Sequence, residues 1–438
     1  MCDLYTHFHS LLHTHHRKGT RCILGFSGGV DSRVVLELLN RYRTETQLEF
    51  LAVYVHHGLS ANADQWQQQC QKWCEEKLIP FVAERVQLET GSGISLEASA
   101  RDARYAALAK HVGEGDILLT GQHADDQIET FLLALKRGSG PKGLSAMAQH
   151  APFAEGTLLR PLLQVSRKEI ESYAFSHQLQ WVEDESNADT RFDRNYLRHQ
   201  VVPTLSQRWP SIYQSVQRSA QLCAEQELLL DQLLESKLAQ AIHIDGSINI
   251  ADLASESELL RNRLIRMWFS NQQQVMPSRD HLHRLWHQVA LSQQDANPQL
   301  NLRGVQVRRF CQRLYLVKEH SDISHWQHSL TLGDALLLPE QLGTLTVAEN
   351  QSGTIALTNE QLHQLYVVFN PEGLKAHPSD RGHSRKLKKL FQELGVPSWL
   401  RRRTPILMCG DCVVAVADLF VDKAFIGQGC ELIWDKQL

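Results

Sequence analysis

Ser27-Gly28-Gly29-Val30-Asp31-Ser32 is a stretch of this 438-residue chain built to hold an anion. Paired glycines let a backbone approach a ligand closely, and Ser27 and Ser32 add hydroxyl donors. Asp31 is the odd member. A carboxylate beside a phosphate cradle is repulsive unless Mg²⁺ lies between them or the carboxylate caps a helix. A second concentration of chemistry is Gln122-His123-Ala124-Asp125-Asp126-Gln127-Ile128-Glu129-Thr130. Helical spacing puts Asp125 and Asp126 each on a face with Glu129. Like charges so close raise each other's pKa unless a cation intervenes, and capping explains one carboxylate, not three. Glu97, Arg101 and Arg104 share another helical face, and an arginine at a pocket edge would clamp phosphate.

The elements that must position these residues are legible from periodicity. An apolar run to Phe26 predicts a buried strand, and Val34, Val35, Leu38 and Leu39 predict the helix that follows. The glycine turn therefore sits at a helix N-terminus, where free N–H groups and the helix dipole favour negative charge. Strands are predicted at 50–55 (ending in His56-His57), 80–86 and 116–121, with helices at 63–78 and 96–111 between them. Strands alternating with crossovers of this length imply a parallel, doubly wound, Rossmann-like sheet whose ligands bind beyond the strand C-termini. Ser27 and His57 both lie at such ends. No Gly-x₄-Gly-Lys-Ser/Thr loop and no Gly-x-Gly-x-x-Gly turn follows the first strand.

Beyond Pro203, expected to close this domain, residues 212–242 read as a long amphipathic helix and 259–269 and 282–291 as two more. A β-hairpin follows over 305–317. From about residue 330 short strands with glycine and proline turns form a third unit, with a helix expected at 384–394 buried through Leu387, Leu390, Phe391 and Leu394. The expected domains are thus 1–205 (catalytic), 206–322 (mostly helical, facing the substrate) and 323–438 (a small α+β domain).

With 42% hydrophobic and 21% charged residues the composition is that of a soluble globular protein, and no apolar run approaches the ~20 residues of a membrane span. Nine scattered cysteines argue for a reducing compartment, hence the cytoplasm. Cys409-Gly410-Asp411-Cys412 reads as a hairpin turn rather than a metal site. The net charge of −4 hides a local excess: residues 373–403 hold nine lysines and arginines against Asp380 and Glu393. Lys386, Lys388, Lys389, Arg401, Arg402 and Arg403 within it are candidate contacts to RNA phosphates.

The Ser-Gly-Gly-Val-Asp-Ser loop after a first strand resembles the pyrophosphate loop of ATP pyrophosphatases. The resemblance narrows with Val55-His56-His57-Gly58-Leu59, Ala100-Arg101-Asp102-Ala103-Arg104-Tyr105, residues 120–130, Arg137-Gly138-x-Gly140, Arg160-Pro161-Leu162-Leu163, Glu183-Asp184-x-Ser186-Asn187 and Arg194-Asn195-x-x-Arg198. Their order over residues 20–205 is similar to that of the tRNA(Ile)-lysidine synthetase family, and the tail resembles the C-terminal domain of its longer members. One departure is Gln122, where the family usually has the first of two histidines; a glutamine still donates and accepts hydrogen bonds.

The resemblance implies a ligase that joins the ε-amino group of L-lysine to C2 of the wobble cytidine in isoleucine tRNA with a CAU anticodon, cleaving ATP to AMP and pyrophosphate. It implies Ser27, Gly28, Gly29, Val30, Asp31, Ser32 and His57 as the ATP site, with Asp31 on Mg²⁺. Asp126 and Glu129 would hold the lysine ammonium, and Arg104 and Arg194 would clamp the α-phosphate or the tRNA. A carboxylate or histidine must also accept a proton before the amine attacks. The base must leave its stack, so the anticodon should bind as splayed single-stranded bases. The rivals are a tRNA thiolase, which would use cysteines near the ATP site, a glutamine-dependent amidotransferase, and a tRNA-binding protein with a vestigial nucleotide fold. The oligomeric state stays open, with a homodimer admitted.

Overall fold

The computed structural model describes residues 3–17, 19–88, 96–293 and 297–436. The chain divides into two compact units, Met1–Gln232 and Leu233–Leu438.

The first unit runs α1 (Leu4–His15), β1 (Arg21–Gly25), α2 (Val30–Thr46), β2 (Glu49–His56), α3 (Ala63–Glu75), β3 (Phe81–Arg85), α4 (Leu96–Ala109), β4 (Ile117–Leu119), α5 (Ala124–Lys136), α6 (Pro141–Leu144), β5 (His150–Phe153), β6 (Gly156–Leu159) and α7 (Arg167–Ser176). Its six strands lie in the order β3-β2-β1-β4-β6-β5, all parallel except the edge strand β5. The order reverses between β1 and β4, which pair directly through Cys22 with Ile117 and Leu24 with Leu119. That reversal is where ligands bind in such sheets, and the turns that leave both strands carry the residues singled out above. The α/β doubly wound expectation holds, while the β5–β6 hairpin was not foreseen.

One face of the sheet is covered by Val34, Val35, Leu38 and Leu39 of α2 with Trp73 and Cys70 of α3, all buried with Phe26 in one core. These α2 positions are those whose helical spacing announced the element.

A second helical run crosses 193–208 as α8 (Asp193–Tyr196), a π turn (Leu197–Val201) and α9 (Val202–Arg208). Pro203 lies in the first turn of α9, where its missing N–H is tolerated. The long helix then follows as α10 (Ile212–Ala241).

Within the second unit, a four-stranded antiparallel sheet packs with the helix Glu258–Asn271 around Trp268, Phe269 and Leu285. Five-stranded and three-stranded antiparallel sheets form the tail. Cys409 and Cys412 flank the hairpin turn, as expected, and every described cysteine is free. The tail helix is shorter than expected. Arg385 and Lys386 pair as a strand with Lys375–Ala376, so the helix runs only Leu387–Glu393. Leu394, assigned to its buried stripe, follows the helix and is 41% exposed.

Gly28 has a φ of +83°, and a Cβ there would stand 2.6 Å from Cys70 Sγ and 2.8 Å from Val182 Cγ2. At Gly29 it would meet only Ser27 Oγ at 3.7 Å. Gly28→Ala is therefore expected to cost about 2–4 kcal/mol and Gly29→Ala under about 1 kcal/mol in urea unfolding; equal costs would contradict this packing.

Candidate active site

The glycine turn is held from below. Val182 N–H donates to the Gly28 carbonyl at 3.0 Å, and Ser32 Oγ donates to the Gly29 carbonyl at 3.0 Å while lying 3.2 Å from Ser27 Oγ. Gly29 occupies the N-cap of α2 and has no side chain to cap it, so first-turn N–H groups are left for a ligand. Val30 and Asp31 lie inside the helix. Asp31 is therefore not the cap.

Gly121, at the end of β4, brings the second turn against the first: a Cβ there would lie 3.1 Å from the Asp31 carbonyl carbon. His123 caps α5, its ring accepting from the Asp125 N–H at 3.2 Å while Asp126 accepts from the His123 N–H at 3.1 Å. Gln122, the departure from the family pattern, accepts from Thr120 Oγ1 at 2.5 Å.

Three carboxylates were expected at this junction, and they have three different surroundings. Asp125 turns to structure: it accepts from Tyr213 Oη at 2.8 Å and from the Arg167 N–H at 2.8 Å. Burial pushes its pKa up, but hydrogen bonds with His123, Arg167 and Tyr213 bring it down to about 2. Asp126 meets Arg198 Nη2 at 3.0 Å. Glu129, only 1% exposed, is gripped by Arg194 Nε at 2.9 Å and by Arg198 at 2.7 and 3.1 Å.

Asp31 joins the same neighbourhood. Its Oδ2 accepts from Arg167 Nη1 at 2.8 Å, and His123 Nε2 stands 3.6 Å from Oδ1 and 3.5 Å from Asp126. Oδ1 is buried without a hydrogen bond. Burial raises the Asp31 pKa against the opposing pull of His123 and Arg167. His123 itself is buried, which lowers its pKa, yet Asp126, Asp125 and Asp31 together carry it above its ordinary value.

On the other side stand Arg104 and His57. Arg104 has no ion-pair partner among the described residues; its guanidinium is pushed down by desolvation and by the charges of Arg101 and Arg194. His57 is pushed down by burial and then by Arg104, with Nδ1 buried and unpaired. An arginine with no ion pair among the described residues, beside a histidine, suits a polyphosphate.

The turns leaving β1 and β4 thus gather Ser27 to Ser32, Asp126 and Glu129, with Arg194 paired to Glu129; Arg104 feels the charges of Asp126 and Arg194 without an ion pair to either, and His57 feels that of Arg104. Arg167, Arg198 and His123 were given no role from the sequence, although the last two stand inside quoted motifs. Ser166 and Glu169 form the capping box that starts α7, a signal that would have placed Arg167 on a helix.

In the tail, Lys386, Lys388 and Lys389 are exposed and have no ion pair among the described residues. The arginines differ. Arg401 donates to the Val396 carbonyl at 2.9 Å, Arg402 to Glu372 at 2.5 Å and Arg403 to the Glu340 carbonyl at 3.2 Å.

Comparison with known proteins gives three family matches: the PP-loop domain over residues 4–205, the TilS substrate binding domain over 248–315 and the TilS substrate C-terminal domain over 365–435. Among curated relatives, a tRNA(Ile)-lysidine synthase of Vibrio parahaemolyticus is 58% identical, with 100% of both chains covered. One from Vibrio vulnificus is 59% identical over 100% of both. One from Photobacterium profundum is 50% identical over 98% of this chain and 99% of that one.

The lowered pKa of Asp125 stabilises the fold above the unfolded value near 3.9 and stops doing so as pH falls through about 2. Asp125→Asn should cost about 2 kcal/mol in urea unfolding at pH 5–7, and the gap to wild type should close below pH 4. A gap independent of pH would mean that Asp125 acts through packing alone.

Proposed function

The chain belongs to the tRNA(Ile)-lysidine synthase family, and from that premise we propose how its residues divide the work. It is an ATP-dependent carbon–nitrogen ligase acting on tRNA. Lysine joins C2 of the wobble cytidine of CAU-anticodon isoleucine tRNA through an adenylated cytidine, which changes the codon read from AUG to AUA. The thiolase reading gives way to this one. We retain 1–205, 206–322 and 323–438 as catalytic, substrate-facing and tail domains.

The observation that carries the assignment of roles is the direct contact between the turns after β1 and β4. It sets an anion cradle beside a cluster of buried carboxylates and arginines. Ser27, Gly28, Gly29, Val30 and Ser32 take the phosphates of ATP, with Arg104 and His57 at its margin. The donor set fits Mg²⁺: Asp31 Oδ1 is a buried, unpartnered oxygen, and Mg²⁺ commonly takes one carboxylate together with phosphate oxygens and water. When bound there, the ion neutralises charge on the departing pyrophosphate.

Asp126 and Glu129 hold the ammonium of lysine. Arg194 and Arg198 pair with these carboxylates, so lysine must take over one of their pairings. The arginine released is then available to the α-phosphate. In the tail, Lys386, Lys388 and Lys389 are the stronger phosphate contacts, and Arg401, Arg402 and Arg403 contribute after leaving internal partners. No helix among the described residues is long and apolar enough to cross a membrane. We place the enzyme in the cytoplasm with its tRNA, and a homodimer is the assembly proposed.

Nucleoside mass spectrometry of the tRNA after incubation with isotopically labelled lysine and Mg²⁺-ATP should reveal a lysine-bearing cytidine, abolished by Asp31→Ala. An unmodified base would overturn the reading. Glu129→Gln should raise the KM for lysine at least tenfold with the KM for ATP little changed; a matched rise in both would remove Glu129 from the lysine site. Lys388→Glu with Lys389→Glu should weaken tRNA binding and flatten its salt dependence by about one unit of slope per lysine, and an unchanged slope would exclude phosphate contacts there.

A further inference from the structure

Phe192 is the extended N-cap of α8 and Tyr196 its last residue, so the two rings bracket the single turn that carries Arg194 and leads on to Arg198. Phe192 is 38% exposed and Tyr196 51%. Neither ring has an aromatic or cationic partner among the described residues.

The rest of this helix is committed elsewhere. Arg194 and Arg198 turn inward to Glu129. Asn195 Nδ2 donates to the carbonyls of Ser186 at 2.8 Å and Asp189 at 3.0 Å, and the His199 ring lies 2.8 Å from the Asn187 carbonyl. Single exposed aromatics are ordinary on a protein surface. Two of them, on the free edge of a helix pinned elsewhere and one turn from the reacting centre, ask for an occupant. The place of the rings suggests which kind: the same helix carries Arg194 and Arg198 to Glu129 beyond β4, so whatever covers its outer edge lies beside that site.

We propose that Phe192 and Tyr196 form a stacking platform for the unpaired anticodon bases next to the wobble cytidine. The inference rests on the functional reading above. A cytidine whose C2 must reach the turns after β1 and β4 has to leave its stack, and its neighbours then lose a face each. Exposed rings beside the site replace that face, and they do so with little regard to base identity because every base has one. The platform thereby holds the anticodon open on the outer side while Arg194 and Arg198 face inward to Glu129. It places the specificity for the target base in the inner pocket and the grip on its neighbours outside it.

The test measures the KM for tRNA alongside the KM for lysine. Phe192→Ala and Tyr196→Ala should each raise the tRNA value by between about five- and a hundredfold, with the lysine value held. Phe192→Trp and Tyr196→Phe, which keep a ring, should restore it. Tyr196→Trp should further give indole fluorescence quenched by an anticodon stem-loop RNA, without ATP or lysine. An unchanged tRNA KM in the double alanine variant would overturn the proposal. So would a loss that the ring-keeping variants share, or a ring-dependent change in the enzyme's own mass in solution, which would assign the surface to a second copy. Should wild type form no lysidine yet quench with RNA, the functional reading fails and the platform stands.

Discussion

A carboxylate taken out of water has to be met by a cation or by several hydrogen-bond donors, and the catalytic half of this molecule is arranged around that requirement. Glu129 is almost wholly enclosed, and its two oxygens are met by guanidinium groups from a helix 65 to 69 residues further along the chain. Asp31 is met by Arg167, 136 residues away. These pairings draw α7 and the 193–208 helix back over the sheet. Long segments that have no strand in the sheet are fixed by charge to the turns that do the chemistry.

The same pairings mark the limit of what the sequence discloses. The β1–α2 junction was legible because an apolar run followed by helical spacing changes period at the Ser-Gly-Gly turn, a local signal. A parallel, doubly wound sheet was implied by crossover lengths, but not the place where its order reverses, between β1 and β4. Which arginine meets which carboxylate was not, since that depends on how segments more than sixty residues apart return to the sheet. Asp125 and Asp126 are adjacent in sequence and looked equivalent, yet one is spent on Tyr213 and the Arg167 backbone while the other faces Arg198. Arg385 and Lys386 show a second kind of limit: their helical pattern was overruled by pairing with Lys375 and Ala376, a contact no window on one segment contains.

In the tail, a dense run of positive charge turns out to be of two kinds. Arginine's planar fork finds internal acceptors easily, as at Val396, Glu372 and Glu340. The lysines, compact and strongly hydrated, stay in solvent. A count of charges along the sequence treats both alike, although a phosphate would meet the lysines without first breaking a bond.

Gly121 lies hard against Asp31: a Cβ there would stand 3.1 Å from the Asp31 carbonyl carbon and 3.2 Å from the Asp31 Cβ, atoms that no rotamer moves. A gap bridged by side chains can be adjusted by a change of rotamer, whereas this one has no such torsion to turn. The interval between the two turns is therefore set by sheet geometry, like the spacing of two jaws on a fixed frame. Mutation elsewhere can alter how tightly either jaw grips, but to change their separation it would have to move a strand.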